Sequence, residues 1–320
     1  MSIAAGISKA FGAYIKGWLR SSLALVIGLV CFAALSGHAA LLETNLVSKF
    51  IGLRGIHIYL PPSYESQSAR RYPVLYLHDG QNVFSSAGTN CAFGWGNWEL
   101  DKTADNLSRS NLMREIIMVA VDNDGARRLE EYSGRHGTNG ASPTAYENYS
   151  RFLCEELKPW VDAHFHTLPE AKDTGVIGSS LGGLISMTLA WEHPEVFGNA
   201  ASLSGSFWYN QTNFLNDGLK QFSNERKPIR IYLDSGTLDF RGGDDGRALT
   251  AQAVAELKRI GWTDKNLELY VQAPLTREQV EKSGLRRDKW EEARTQHNEF
   301  YWRLRAWRAL VFLFPPEKQK

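Results

Sequence analysis

Short apolar runs alternate with longer amphipathic runs through most of this 320-residue chain, and this alternation constrains the fold more than any other feature. The short runs are rich in β-branched residues and most are followed by Asp, Gly or Ser; they cover 53–60, 74–77, 116–121, 175–177, 200–203, 229–233 and 267–271. Such runs are typical of strands buried on both faces of a parallel sheet. Helical spacing occurs over 145–164, interrupted at Pro159, and over 184–193, 248–260 and 300–313. We therefore predict one α/β domain over residues 45–314, with a mostly parallel, doubly wound sheet and helices on both faces.

Residues 1–39 differ from the rest of the chain. A leader with Lys9, Lys16 and Arg20 precedes the apolar run 23–35, and small residues lead up to Ala39. The apolar run is shorter than the roughly twenty residues of a membrane-spanning helix, and the order is typical of a secretory signal peptide cleaved after Ala39. An uncleaved membrane anchor is the alternative. Either interpretation predicts a periplasmic or secreted protein that meets a membrane only through this segment, if it is retained.

Charge and cysteine usage narrow the function classes. The formal net charge of +1 argues against a nucleic-acid-binding footprint, so no nucleic-acid partner is expected. No Cys/His cluster has the spacing of zinc ligands, and we predict no metal. After loss of the signal peptide, Cys91 and Cys154 remain; they either form one disulfide or stay free.

The run Gly178-Ser179-Ser180-Leu181-Gly182 lies between the apolar pair at 176–177 and the helical pattern from 184. It matches the G-x-S-x-G turn, in which small neighbours let a serine project from a sharp strand-to-helix corner. A serine hydroxyl is a weak nucleophile that needs a base within hydrogen-bond reach. The strand before the motif and the helix after it therefore predict an α/β-hydrolase fold with Ser180 as nucleophile.

In this fold an acid and then a histidine follow later strands. After the run 229–233 two carboxylates compete: Asp234 at the strand end and Asp239 in the loop beyond, of which we favour Asp239. His297 is the one histidine C-terminal to Asp239 and precedes the final helix, so we predict it as the base. An oxyanion hole needs two backbone N–H donors, which we assign to Leu181 and Gln81.

The chain resembles a known group of hydrolases at six places in order: YLHDGQNVF (76–84), VDNDGARRLEEYS (121–133), GSSLGG (178–183), SLSGSFW (202–208), YLDSGTLD (232–239) and HNEFYWRLRAW (297–307). These runs are similar to those of the putative esterase family, which includes siderophore esterases, feruloyl and acetyl-xylan esterases, S-formylglutathione hydrolase and mycolyltransferases. The resemblance implies the same nucleophile, acid, base and oxyanion donors as above. The Arg-Arg-x-x-Glu-Tyr pattern at 127–132 resembles the siderophore-esterase-like branch most.

Candidate substrate contacts are less constrained. Trp208, and Trp98 with its neighbour Trp95, could stack on an aromatic or sugar group, or serve only in packing. Arg127 and Arg128 could bind an anionic group through bidentate hydrogen bonds, although we expect at least one to pair with Glu130 or Glu131. In the resembling proteins the histidine follows the last strand closely, whereas here residues 275–296 lie between them. This segment forms either a lid over the pocket or a surface insertion.

We therefore expect a serine esterase that hydrolyses a carboxylic ester through an acyl-Ser180 intermediate without a cofactor. The expected substrate is a small-molecule or carbohydrate-linked ester, of a siderophore or of an aryl or acetyl group. An acyltransferase of the same fold and an inactive binding module are the alternatives.

Overall fold

A computed structural model of the chain describes residues 39–134 and 143–317. The predicted signal peptide or anchor lies outside the described residues except for Ala39, and so does the polar stretch 135–142. None of the described helices combines the length and the apolar character needed to cross a bilayer. The unit that carries the fold includes all of the described residues.

Strands of the described residues form one eight-stranded sheet: β1 (Ala40–Ser48), β2 (Gly52–Leu60), β3 (Val74–His78), β4 (Ile117–Val121), β5 (Thr174–Ser179), β6 (Asn199–Leu203), β7 (Arg230–Ser235) and β8 (Leu267–Val271). Their spatial order is β1-β2-β4-β3-β5-β6-β7-β8. The pairs β1–β2 and β2–β4 are antiparallel and all other pairs are parallel. β1 pairs with β2 along its whole length, from Ala40 opposite Leu60 to Ser48 opposite Gly52, so the sheet begins before the predicted residue 45.

Helices connect these strands: α1 (Cys91–Gly94), α2 (Leu100–Arg109), α3 (Arg128–Glu131), α4 (Pro143–Arg151), α5 (Lys158–His164), α6 (Leu181–Glu192), α7 (Tyr209–Asn213), α8 (Arg247–Ile260), α9 (Arg277–Lys282) and α10 (Glu299–Leu313). Pro159 does not interrupt the helical path between α4 and α5. A π-helical turn over Phe152–Leu157 precedes it, and this wider turn accommodates the proline ring and its missing N–H.

The two faces of the sheet bury separate apolar clusters. Val176 of β5 belongs to a cluster that includes Ile185 of α6, whereas the next residue, Ile177, belongs to a cluster that includes Leu310 of α10. Alternate residues of a strand point to opposite faces, so both faces are covered by helices. The strand order, the parallel centre and the two helical layers confirm the α/β-hydrolase fold and the doubly wound sheet.

Candidate active site

Ser180 occupies the corner between β5 and α6. Its backbone has φ 56° and ψ −123°, a conformation that costs free energy for a non-glycine residue. The corner closes because its neighbours are small: a Cβ on Gly178 would lie 2.5 Å from the backbone of Gly182. The corner predicted from the G-x-S-x-G spacing is therefore present.

His297 lies beside this serine, although the two are distant in sequence. Its Nε2 is 2.9 Å from Oγ of Ser180, in hydrogen-bond range. The loop that carries His297 is held by Gln296, whose buried side-chain oxygen accepts hydrogen bonds from the N–H groups of Thr237 and Leu238. On the other side, Asn298 caps α10 by accepting the N–H of Tyr301. The imidazole is thereby held between the loop after β7 and the start of α10.

The carboxylate that contacts His297 is Asp245, which was not among the predicted residues. Oδ1 of Asp245 lies 2.6 Å from Nδ1 of His297, and the side chain has 0% exposure. Its Oδ2 accepts a hydrogen bond from Oγ of Ser204 at 2.6 Å and another from the N–H of Gly236. The structure thus forms a hydrogen-bonded chain of Ser180, His297 and Asp245.

The prediction that Asp239 would contact His297 is wrong. Oδ1 of Asp239 accepts the N–H groups of Arg241 and Gly243 at 2.7 and 2.8 Å, so this carboxylate closes its own turn. The loop then continues until Asp245, next to the start of α8. In the sequence, Asp245 is marked only by its position before Gly246 at the start of a predicted helix. An ordinary helix N-cap has the same pattern, so the sequence does not distinguish the two roles.

Burial would raise the pKa of Asp245, but the hydrogen bond and charge of His297, then the charge of Arg305 and the bond from Ser204, outweigh it and hold the pKa below its ordinary range. Asp245 is therefore ionised at neutral pH. A carboxylate at Nδ1 fixes that nitrogen as the N–H donor, so Nε2 is left free to accept a proton.

The two predicted oxyanion donors line the same cavity as Ser180 and His297. Leu181 is the first residue of α6, so its N–H has no partner inside the helix. Gln81 lies in a short 3₁₀ turn over Gly80–Asn82, and its side chain accepts the N–H of Asn123. Gly80 is required by close packing, since a Cβ there would lie 2.8 Å from the backbone of β4.

The turn at Gln81 is held by the Asp79–Arg128 ion pair. Asp79 has left-handed φ and ψ of 58° and 46°, and both of its carboxylate oxygens accept hydrogen bonds from Arg128, at 2.6 and 2.7 Å. Asn123 donates to the same carboxylate at 2.6 Å. Burial would raise the pKa of Asp79, but the charge and hydrogen bonds of Arg128 outweigh it and lower the pKa. The structure therefore assigns Arg128 to this turn instead of to a free anion site, although part of its side chain lines the cavity.

Arg127 does not reach the cavity, contrary to its prediction as a substrate contact. It pairs with Asp124 at 2.8 Å and donates to the backbone oxygen of Ile51 at 3.0 Å, and it is not among the residues that line the cavity. Glu131, one of the two expected partners of the Arg-Arg pair, makes a bidentate, buried pair with Arg54, and its Oε1 also lies 4.0 Å from Nε of Arg127, so the expected pairing is present at the limit of ion-pair distance.

The cavity above Ser180 encloses about 1600 Å³. Trp208 is 52% exposed in its wall, and its role in stacking on a substrate stays a prediction. Trp98 also lines it but is only 4% exposed and packs on Trp302, so packing is its main role. Residues 275–296 contribute five residues to the wall, from Lys289 to Thr295, and Lys289 lies over the ring of Trp95 at 5.0 Å.

Residues 275–296 are anchored to the domain. Val280, Leu285 and Ala293 form a buried cluster with Phe300 and Tyr301 of α10. The side-chain hydroxyl of Tyr301 also donates to the carbonyl of Ala293 and accepts the N–H of Leu275. This insertion is thus a packed wall of the cavity in the structure; its action as a lid stays a prediction.

Two further observations bear on cofactors and redox chemistry. Within residues 39–134 and 143–317, no group of three His, Cys, Asp or Glu side chains is arranged to hold a metal ion. Cys91 and Cys154 are both free thiols, which decides between the two alternatives for them. Burial raises the pKa of the Cys154 thiol to about 12, so it is not a reactive thiolate.

Residues 51–305 match the model of the esterase family described as "Putative esterase". The chain belongs to this family. It is accordingly a carboxylic ester hydrolase by class. The match covers the sheet from β2, the corner at Ser180, and His297.

Two relatives in Bacillus subtilis illustrate the similarity. "Uncharacterized protein YbbA" is 25% identical over 235 residues, 69% of this chain and 84% of the relative. "Ferri-bacillibactin esterase BesA" is 22% identical over 218 residues, 62% of this chain and 70% of the relative. Other relatives are longer: this chain spans 29% of the length of two esterases of Mycobacterium tuberculosis.

Among solved structures, a ferulic acid esterase superposes with a TM-score of 0.62 at 16% identity, covering 87% of this chain and 99% of that protein. At this level of identity the likeness concerns the fold alone.

Proposed function

We propose that this ester hydrolase acts through a Ser180–His297–Asp245 triad and an acyl-serine intermediate. The observation that carries the proposal is the hydrogen-bonded chain of 2.9 Å from Ser180 to His297 and 2.6 Å from His297 to Asp245. A serine, a base and an orienting carboxylate in this order are the arrangement that activates a hydroxyl nucleophile.

In the first half-reaction, Oγ of Ser180 forms a bond to the ester carbonyl carbon while Nε2 of His297 takes the hydroxyl proton. The carbonyl electron pair moves to its oxygen, which the N–H groups of Gln81 and Leu181 stabilise. The start of α6 adds the positive end of a helix dipole at this point. The intermediate collapses, the carbon–oxygen bond to the alcohol breaks, and His297 gives its proton to the leaving alcohol.

In the second half-reaction, water replaces the alcohol. His297 takes a proton from water while the water oxygen bonds to the acyl carbon. The bond between the acyl carbon and Oγ of Ser180 then breaks, and His297 returns the proton to Oγ. Asp245 stays ionised throughout and stabilises the imidazolium form. Each step uses groups of this chain, and the net reaction consumes one water and yields an acid and an alcohol.

A fluorophosphonate probe, which phosphonylates an activated serine, tests the nucleophile. We expect labelling of the wild type and loss of the label in Ser180→Ala. Ser206→Ala is the matched control, because Oγ of Ser206 lies 3.2 Å from Oγ of Ser180 in the same cavity. Label that persists in Ser180→Ala, or that disappears only in Ser206→Ala, would rule out Ser180 as the nucleophile.

For the substrate, we propose an ester of a bulky aryl group. The large cavity and the exposed faces of Trp208 and Phe240 support this class. Seven carboxyl groups line the cavity against four Arg or Lys side chains, and two of these cations, Arg128 and Lys289, already form ion pairs, which favours a neutral ester over a highly anionic ferric chelate. Rates on p-nitrophenyl acetate, a feruloyl ester and a ferric catecholate trilactone test this. Fastest turnover of the ferric trilactone would overturn the aryl-ester proposal.

We propose that the enzyme works outside the cytoplasm, on the basis of the basic leader and apolar run in residues 1–35. N-terminal sequencing of the protein recovered from fractionated cells tests this, with a start after Ala39 as the expected result. Recovery of the intact chain in the cytoplasmic fraction would contradict it.

A further inference from the structure

Arg305 lies directly behind the residues proposed for catalysis. It belongs to α10, the helix that follows His297, and its side chain has 0% exposure. Its Nε lies 2.9 Å from Oδ1 of Asp234, and its Nη2 lies 3.8 Å from Oδ2 of Asp245. One buried guanidinium therefore serves two buried carboxylates.

Asp234 is as deeply buried as Asp245 but does not contact His297. It lies near the end of β7, where Oδ1 accepts the N–H of Ser204 at 3.1 Å and Oδ2 accepts the hydroxyl of Tyr232 at 3.2 Å. Ser204 joins the two carboxylates, because its N–H donates to Asp234 and its Oγ donates to Oδ2 of Asp245. The same Oγ accepts a hydrogen bond from Arg305. Asp234, Asp245 and Arg305 thus form one charge cluster around Ser204.

A charge removed from water is costly unless another charge compensates it. Burial raises the pKa of Asp234 to about 6 even though Arg305 opposes the shift, whereas the pKa of Asp245 stays below its ordinary range. The ionisable groups that face the cluster are His297 before α10, Tyr232 of β7 and Tyr301 of α10. None of these side chains is a second permanent cation, so Arg305 supplies the lasting positive charge of the cluster.

We propose that Arg305 is a positioning residue of the active site, whose guanidinium compensates Asp234 and thereby keeps Asp245 ionised behind His297. The inference rests on the proposed triad and deepens it. Without Arg305 two carboxylates would share a dry site, and like charges in such a site hold a proton between them. A proton on Asp245 would remove the acceptor that orients His297.

The test compares Arg305→Met with the double variant Asp234→Asn/Arg305→Met, using the pH profile of kcat/KM. In Arg305→Met, we expect the acidic limb of this profile to move to higher pH by about one unit, because the two uncompensated carboxylates then hold a proton that must leave before Asp245 can orient His297. The activity at a pH on that limb then falls about tenfold. In the double variant, the asparagine at position 234 has no charge that needs compensation, so the acidic limb of the kcat/KM profile should return toward its wild-type pH.

A purely structural ion pair would behave differently. Arg305→Met would then lower stability without displacing the limb, and the double variant would be no better than the single one; either result overturns the proposal. Arg114→Met is the control, since Arg114 pairs with Asp173 at 2.8 Å beside the N-terminal end of β5, away from the triad. It should leave the profile in place.

A readout that does not depend on turnover separates this proposal from the proposed function. NMR titration of the Asp245 carboxyl carbon in the resting enzyme should give a higher pKa in Arg305→Met than in the wild type, and a value near that of the wild type in the double variant. Identical titrations in all three proteins overturn the role of Arg305. Full activity of Ser180→Ala would instead contradict the catalytic mechanism, whatever the titration gives.

Discussion

Asp245 binds His297 with one carboxylate oxygen and Ser204 with the other, each at 2.6 Å. The side chain is inaccessible to solvent, so water cannot compete for either oxygen. This double engagement fixes both the position and the ionisation of the carboxylate. The imidazole is consequently held with Nε2 directed at Ser180.

We predict that Asp245→Asn lowers kcat on a small aryl ester by on the order of 1000-fold or more, because an amide no longer selects the required tautomer of His297. Asp239→Asn is the comparison: its carboxylate only accepts backbone N–H groups of its own turn, so kcat should fall less than about tenfold. Steady-state kinetics decide, and the opposite order of the two variants would restore Asp239 as the acid.

We predict that Arg128→Met lowers kcat more than it raises KM. The variant frees Asp79 and loosens the turn that presents Gln81, and losing one oxyanion donor costs on the order of 100-fold in rate. Arg127→Met is the matched control, since Arg127 pairs with Asp124 outside the cavity. If Arg128→Met changed only KM, and only for anionic esters, Arg128 would be a substrate contact after all.

Glu299 in the cavity wall predicts a pH-dependent selectivity. Burial raises the pKa of this carboxyl to about 7, so it is mostly protonated at pH 6 and mostly ionised at pH 8. Esters with an anionic acyl group should therefore have a higher KM at pH 8 than at pH 6. Neutral esters serve as the control substrate, and Glu299→Gln should abolish the difference. If the difference in KM between pH 6 and pH 8 remained in Glu299→Gln, another titrating group would be responsible for it.

His78 predicts an acid sensitivity of the fold. Burial lowers the pKa of this histidine to about 3, while its unfolded value lies near 6.5. The unfolded chain therefore binds more protons between these pH values, so the stability is complete above about pH 6.5 and decreases as the pH falls. The loss from this group by pH 5 is roughly 2 kcal/mol.

Urea denaturation of wild type and His78→Gln at pH 7.5 and pH 5 measures this effect, and the variant should lose less stability on acidification. His57 is the control of opposite sign: its hydrogen bond with Asp122 raises its pKa, so its contribution is present at low pH and is lost as the pH rises through its folded value. Equal acid sensitivity of wild type and His78→Gln would contradict the prediction.

The packing of residues 275–296 predicts that they contribute to global stability. Leu285→Ala should cost about 2–3 kcal/mol, because Leu285 is 7% exposed in the cluster with Phe300. Glu278→Ala, on the exposed face of α9, should change the stability by less than about 0.5 kcal/mol. Chemical denaturation measures both, and rapid proteolytic cleavage of this insertion in the native wild type would instead indicate a mobile lid.

The sequence by itself determined most of the sheet, the corner and two members of the proposed triad. Alternating apolar runs placed seven of the strands, with β8 at its observed bounds, because burial on both faces leaves a continuous signal in neighbouring residues. The corner at Ser180 depends on contiguous small residues, and His297 on its order in the chain. β1 was missed because its outward face is partly exposed, which weakens the apolar run.

The tertiary structure alone decided which carboxylate reaches His297. Asp234, Asp239 and Asp245 all lie at or after the end of β7, and their sequence contexts allow any of them to be the acid. The choice follows from the path of the loop, whose backbone N–H groups are held by the side chain of Gln296 and by Asp245 itself. The contacts of Gln296 join residues that are remote in sequence. Local sequence patterns predict backbone conformation, but they do not predict which side chains that are distant in sequence will contact each other.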